Sequence, residues 1–151
     1  MSQIGLLVNN LSLGQLTYNM VSCVNSLKNE ADFAIFRQDP AGFAMQPLCS
    51  VFQEYHLWGY EGIGIATTLQ TAQKLLNVYS IPKKYFYVWN LDWIFIEKFN
   101  NRDLAKIYMN KDIELIARSQ THAHIIEKCW KKPAHILRDF DHEEFRKLFC
   151  Q

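Results

Sequence analysis

Residues 3–36 read QIGLLVNNLSLGQLTYNMVSCVNSLKNEADFAIF, and the reading of this stretch decides the fold. QIGLLV (3–8) is a continuous apolar run bounded by polar residues, the pattern of a strand buried on both faces. The turn that follows holds Asn9, Asn10 and Gly14. Leu16, Met20, Cys23, Val24 and Leu27 then recur at helical spacing, which predicts an amphipathic helix over 15–29. ADFAIF (31–36) is a second short strand. In a strand–helix–strand unit the crossover is right-handed, so these two strands are predicted to be parallel neighbours.

Outward from this unit the alternation continues. Residues 37–47, RQDPAGFAMQP, carry Asp-Pro, Ala-Gly and a second Pro and read as loop, while 48–58 fits a strand or a short helix equally well. GIGIAT (62–67) is a buried strand, after which Thr71 is expected to open a short helix holding Ala72, Leu75 and Leu76. Ile81-Pro82-Lys83-Lys84 breaks that helix, and YFYVW (85–89) is rich in strand-forming residues. Residues 90–110 read as largely helical, in two pieces divided at Asn100-Asn101. ELIARS (114–119) is the next strand, and Ser119 can cap the helix that follows. Ala123, Ile126 and Trp130 form the inner face of that helix, and AHILR (134–138) is the last strand. Asp141 and Glu144 have the spacing of an acidic capping box, opening a helix with Phe145, Leu148 and Phe149 inward. This order specifies an α/β fold: a single Rossmann-like, doubly wound, mainly parallel sheet with helices on both faces, one domain over 1–151.

The totals agree with one soluble domain. The chain has 151 residues, 49% of them hydrophobic and 21% charged, with a formal charge of +1 that gives no indication of nucleic-acid binding. No apolar run reaches membrane-spanning length and no signal-peptide pattern opens the chain, so a cytoplasmic protein is expected, in a host cell were the chain viral. Cys23, Cys49, Cys129 and Cys150 are widely spaced, as reduced thiols of an intracellular protein are. His122 and His124 stand two apart on a helix and point to different faces, so no metal site is expected. No nucleophile elbow or phosphate-binding loop is present, and nothing points to a cofactor or to a catalytic residue.

Three stretches carry a resemblance. LIARS, then THAHIIEKCWKKPAHIL, then Arg138-Asp139-Phe140-Asp141 running on to Phe145 is similar to the N-terminal Rossmann-like domain of GT-B glycosyltransferases of the retaining, glycogen-synthase-like kind. In that family a strand ending in Ser leads through a helix and a Pro break to an Asn-Gly-Val-Asp-x-x-x-Phe segment. Here Arg138-Asp139 replaces Asn-Gly, which leaves out the glycine that a positive-φ turn favours. GIGIATTLQTAQKL resembles the family's Ile-Ala-Thr-x-x-x-Thr-Ala, and YFYVWNLDW resembles its strand ending in a Gln-Asp-x-Glu turn. The Gly-rich turn after the first strand is reduced to Gly14. The resemblance implies a second domain carrying the Glu-x7-Glu motif and the basic residues that hold the departing diphosphate. The sequence to Gln151 holds neither, so this domain by itself is expected not to transfer sugar.

In doubly wound sheets ligands settle outside the carboxyl ends of the strands. That rule makes Asn9, Asn10, Gly14, Gln15, Asn90, Asp92 and Ser119 the candidate contacts to a sugar acceptor or nucleotide fragment. The same residues also suit plain turns and helix caps. Trp58, Tyr60, Trp89 and Trp93 could form a stacking platform, the core, or an association surface. The resemblance implies that Phe145, Leu148 and Phe149 lie where a second domain would pack, which would leave an apolar patch. Two functions follow: a glycosyltransferase-like domain binding an acceptor or nucleotide, or a non-catalytic scaffold that associates with a protein partner or a second copy.

Overall fold

The computed structural model describes residues 1–12 and 14–150. Among these residues, the strands β1 (Gln3–Val8), β2 (Asp32–Arg37), β3 (Ser50–Gln53), β4 (Ile63–Ala66), β5 (Lys83–Val88), β6 (Ile113–Ala117) and β7 (His135–Ile136) form one sheet. Its order is β3-β2-β1-β4-β5-β6-β7, and every neighbouring pair is parallel. The helices are α1 (Gln15–Ser26), α2 (Leu69–Leu76), α3 (Asn101–Tyr108), α4 (Gln120–Cys129) and α5 (His142–Phe149), with 3-10 turns at Glu54–Gly59 and Asp92–Ile94. No described helix is long and apolar enough to cross a membrane.

The sheet grows from β1 through β2 to β3, then the chain returns to place β4 on the other side of β1. Right-handed crossovers in opposite directions put their helices on opposite faces. One face buries Ile4, Leu6 and Val8 of β1 and Tyr85 and Tyr87 of β5 under α1 and α5. The other buries Leu7, Ala66, Phe86, Val88, Leu115 and Ala117 under α2, α3 and α4. Alternate residues of each strand therefore feed two cores, which is why the strands read as unbroken apolar runs. At Gly64 a Cβ would stand 2.6 Å from Leu75 Cδ1, so the glycine is what lets α2 lie close on β4.

Several boundaries differ from the sequence reading. The first helix ends at Ser26 rather than 29, its last turn closed by the Leu27 N–H shared between the carbonyls of Cys23 and Val24. The ambiguous 48–58 segment is both things in turn, β3 and then a 3-10 helix. Thr68, not Thr71, opens α2. Of the two helical pieces read in 90–110, the second is present as α3, divided off at Asn100, which caps it by accepting the Asp103 N–H at 2.9 Å, while the first reduces to a 3-10 turn followed by irregular chain. The last strand shrinks from 134–138 to the pair His135–Ile136.

The larger correction concerns the C-terminal helix. Phe145 is 0% exposed and Phe149 3%, so they face inward as the helical reading of 141–149 expects, and they are core residues and not an uncovered docking patch. Phe145 packs against Phe33, Phe140 and Phe149, and Phe149 meets Tyr85 edge-on at 5.1 Å. Only Leu148 remains half-buried at the margin. An amphipathic helix laid beside α1 covers the sheet face with its own aromatics.

A candidate rim at the strand ends

Because every strand is parallel, all the carboxyl ends lie on one side of the sheet, and the order reverses between β1 and β4. Asn9 spans that switch. Its Oδ1 accepts the Thr68 hydroxyl at 3.2 Å, while its carbonyl accepts the N–H groups of Gln38 and Asp39 beyond β2. Asn10 folds the next turn: its Oδ1 accepts the Ser12 N–H at 3.2 Å and the Ser12 hydroxyl at 3.1 Å. Gly14, at φ 102°, opens α1 with no capping side chain, and Gln15 is exposed at the first helical position. Ser119 accepts the His122 N–H at 3.1 Å and caps α4. Asn10 and Ser119 are thus engaged in turn and cap bonds, and Asn9 in holding the switch, while Gln15 and Asn90 face solvent.

Two threonines explain the motif at β4. The Thr67 hydroxyl donates to the Leu7 carbonyl at 2.7 Å and ties β4 to β1. The Thr71 hydroxyl accepts the N–H groups of Thr67 and Thr68, at 3.1 and 3.0 Å, and donates to the Thr68 carbonyl. Thr67 and Thr71 are 3% and 2% exposed, and both hydroxyls are taken up by backbone partners. Their spacing serves architecture: it satisfies backbone groups that would otherwise be orphaned where strand becomes helix.

Sequence reasoning passed over a second cluster, at the ends of β5, β6 and β7. The Arg118 guanidinium lies 3.7 Å from the centroid of the buried Trp89 ring, and its Nε donates to Asp139 at 2.5 Å. Asp139 and Phe140 have φ of 47° and 57°, so the left-handed turn is made without glycine. It is held from below by Tyr87, whose hydroxyl donates to the Leu137 carbonyl and accepts the Phe140 N–H at 3.4 Å. The Asp141 carboxylate then caps α5 by accepting the Glu144 N–H, but Glu144 completes no capping box and instead grips Arg138 through the Arg138 N–H and guanidinium. Burial and the Arg118 charge push the nearby His122 imidazole down, Asp139 opposes them, and its buried Nδ1 has no partner among the described residues. The available signal was position: Trp89 and Arg118 each immediately precede a candidate, Asn90 and Ser119.

Asp92 begins its 3-10 turn through its carbonyl, which accepts the N–H groups of Phe95 and Ile96, rather than as a side-chain cap. Burial holds its carboxyl above the usual carboxylate range. The neighbouring Tyr108 hydroxyl is buried, has no hydrogen-bond partner among the described residues, and is pushed up by burial and by Asp92. A carboxyl with a raised folded-state pKa weakens the fold above that value and ceases to do so below its unfolded value of about 3.9. Asp92→Asn is therefore expected to raise the melting temperature at pH 7, with the difference from wild type vanishing toward pH 3. Melting curves across that range check it, and a lower melting temperature at pH 7 would mean the carboxylate is stabilised.

The aromatic candidates do not form one platform. Tyr60 packs edge-on against Phe36, Trp89 lies under Arg118, and Trp93 meets Tyr108 and Trp130 on the face of α3 and α4. Trp58 is exposed beside a pocket of about 260 Å³, lined by Leu7, Phe36, Leu57 and Val78, with Glu54 and Lys74 paired at its wall. None of the polar candidates lines that pocket. Among the described residues no group of His, Cys, Asp or Glu is placed to hold a metal ion. No protein-family model and no curated protein matches the chain.

Proposed function

We propose that the chain is a binding domain related to the N-terminal half of retaining GT-B glycosyltransferases, taking a sugar acceptor or nucleotide fragment across its strand ends. The observation that carries this reading is the gathering of polar side chains on one rim around a reversal of strand order, from Asn9 and Thr68 across Asn90 to Arg118 and Asp139. Such a reversal is where doubly wound sheets receive ligands. Gln15 and Asn90 are exposed and can bond ligand hydroxyls, and Arg118, 3.7 Å over the Trp89 ring, offers a cation for a ring or an anionic group. The left-handed turn at Asp139-Phe140 and the capping Asp141 support the relationship, since they preserve the form of the family segment where its glycine is missing. The role assigned is recognition, with no chemical step.

Thermal shift with a panel of nucleotides, nucleotide sugars and oligosaccharides tests it. A ligand at one hundred times its dissociation constant adds about 2.7 kcal/mol, which is roughly 5–10 °C for a chain of this size. The shift is expected to fall by more than half in Asn90→Ala and in Arg118→Ala. A panel without any shift, or a shift that survives both changes, sinks the reading. A second reading, a scaffold for association, is favoured by the exposed aromatic side chains beside β3.

A further inference from the structure

The two edges of the sheet are treated differently. β7 is two residues long and stands between Lys132-Pro133 and Arg138, and short length, proline and charge are the usual protections of a sheet edge. β3, Ser50–Gln53, has neither charge nor proline, and its outer row of N–H and C=O groups has no strand beside it among the described residues. Beside it Phe52, Tyr55 and Trp58 are 41%, 66% and 62% exposed. They are continuous: His56 lies 5.8 Å from the Phe52 ring and 4.3 Å from the Tyr55 ring, and Tyr55 and Trp58 share the 260 Å³ pocket. At 150–250 Å² for a fully buried aromatic side chain, their exposed parts amount to roughly 350 Å². A standard interface takes about 800 Å² from each partner, a little over half of it apolar, so this patch supplies most of one apolar centre.

We propose that a second copy of this chain covers the patch, its β3 pairing antiparallel with the first across a two-fold axis. The inference rests on the association reading and is independent of the strand-end rim. An interface of this symmetry sets one surface against itself, so it must be self-complementary. Here β3 is uncharged, the charges at the wall of the pocket, Glu54 and Lys74, neutralise each other within the copy, and the nearby carboxylates of Asp32 and Glu61 border the groove beside Ser50 and Phe52. The strand therefore meets its own image without like charges along its length, while the open edge of each β3 finds the other's.

Sedimentation of the full chain over about 1–100 µM, a range that covers dissociation constants worth roughly −5.5 to −8 kcal/mol, is expected to give a dimer. Tyr55→Lys combined with Trp58→Lys places two cations per copy on the joint and is expected to weaken the dimer at least tenfold with an unchanged circular dichroism spectrum. Ile136→Lys, on the β7 edge, is expected to leave it intact. Amides of residues 50–53 should exchange more slowly as concentration rises. A chain that stays monomeric with those amides exchanging freely overturns the dimer, and so does a dimer indifferent to the double variant or broken by Ile136→Lys. If a different protein then protects the same amides, association survives and only the identity of the occupant fails.

Discussion

Phe145→Ala is expected to destabilise the chain by about 3–5 kcal/mol, the cost of removing a fully buried phenyl ring together with the cavity it leaves. The ring is 0% exposed and lies among Phe33, Phe140 and Phe149, so neighbours that are themselves large and constrained have little freedom to collapse into the space. Its loss also loosens α5, whose contact with the sheet runs through Phe145 and Phe149. Domains of this size hold only about 5–15 kcal/mol in total, so the variant stands near the limit of folding. Phe145→Leu, which keeps most of the volume, provides a measurable intermediate. Urea denaturation of both against wild type gives the answer. A cost below about 1 kcal/mol for the alanine variant would show that α5 is no part of the core, and a docking surface for a second domain would return as its explanation.

Thr71→Val is expected to cost about 2–4 kcal/mol, although it barely changes shape. Valine keeps the volume but removes the oxygen that accepts two backbone N–H groups, those of Thr67 and Thr68, and each unsatisfied buried donor costs about 1–3 kcal/mol. The donation to the Thr68 carbonyl is lost as well, along with half of the reciprocal cap that opens α2. Thr71→Ser retains the hydroxyl and is expected to recover most of the loss. Denaturant midpoints of the three proteins decide it. If valine is tolerated and serine is not, the methyl group matters more than the hydroxyl and the account of the motif is wrong. The result bears on function, because it tells whether the Thr71 hydroxyl is committed to backbone groups even though the residue borders the 260 Å³ pocket.

These two residues show why a family-like pattern can be legible while its chemistry is not. The spacings Thr67 to Thr71 and Asp141 to Phe145 are local, spanning one helical turn, and their tasks are local too: donor satisfaction, capping and one buried ring. The sequence shows such devices because they involve residues a few positions apart. The rim involves residues far apart. Arg118 meets Trp89 and Asp139 across three strand ends, and no spacing in the chain announces that contact. Asn9 was read for a ligand or a turn, and its bond to Thr68, 59 residues later, could not be foreseen from either neighbourhood.

The sequence by itself determined the alternation of strands and helices, the parallel sheet and the caps at Ser119 and Asp141, because periodicity and caps depend on near neighbours and on burial of both sheet faces. Only the tertiary structure decided that α5 covers its own core, that Arg118 sits over the Trp89 ring, and that the β3 edge remains open. Each depends on which strand ends and helix faces come together after the chain has crossed the sheet. That arrangement is set by packing the whole molecule, so no single segment holds the information.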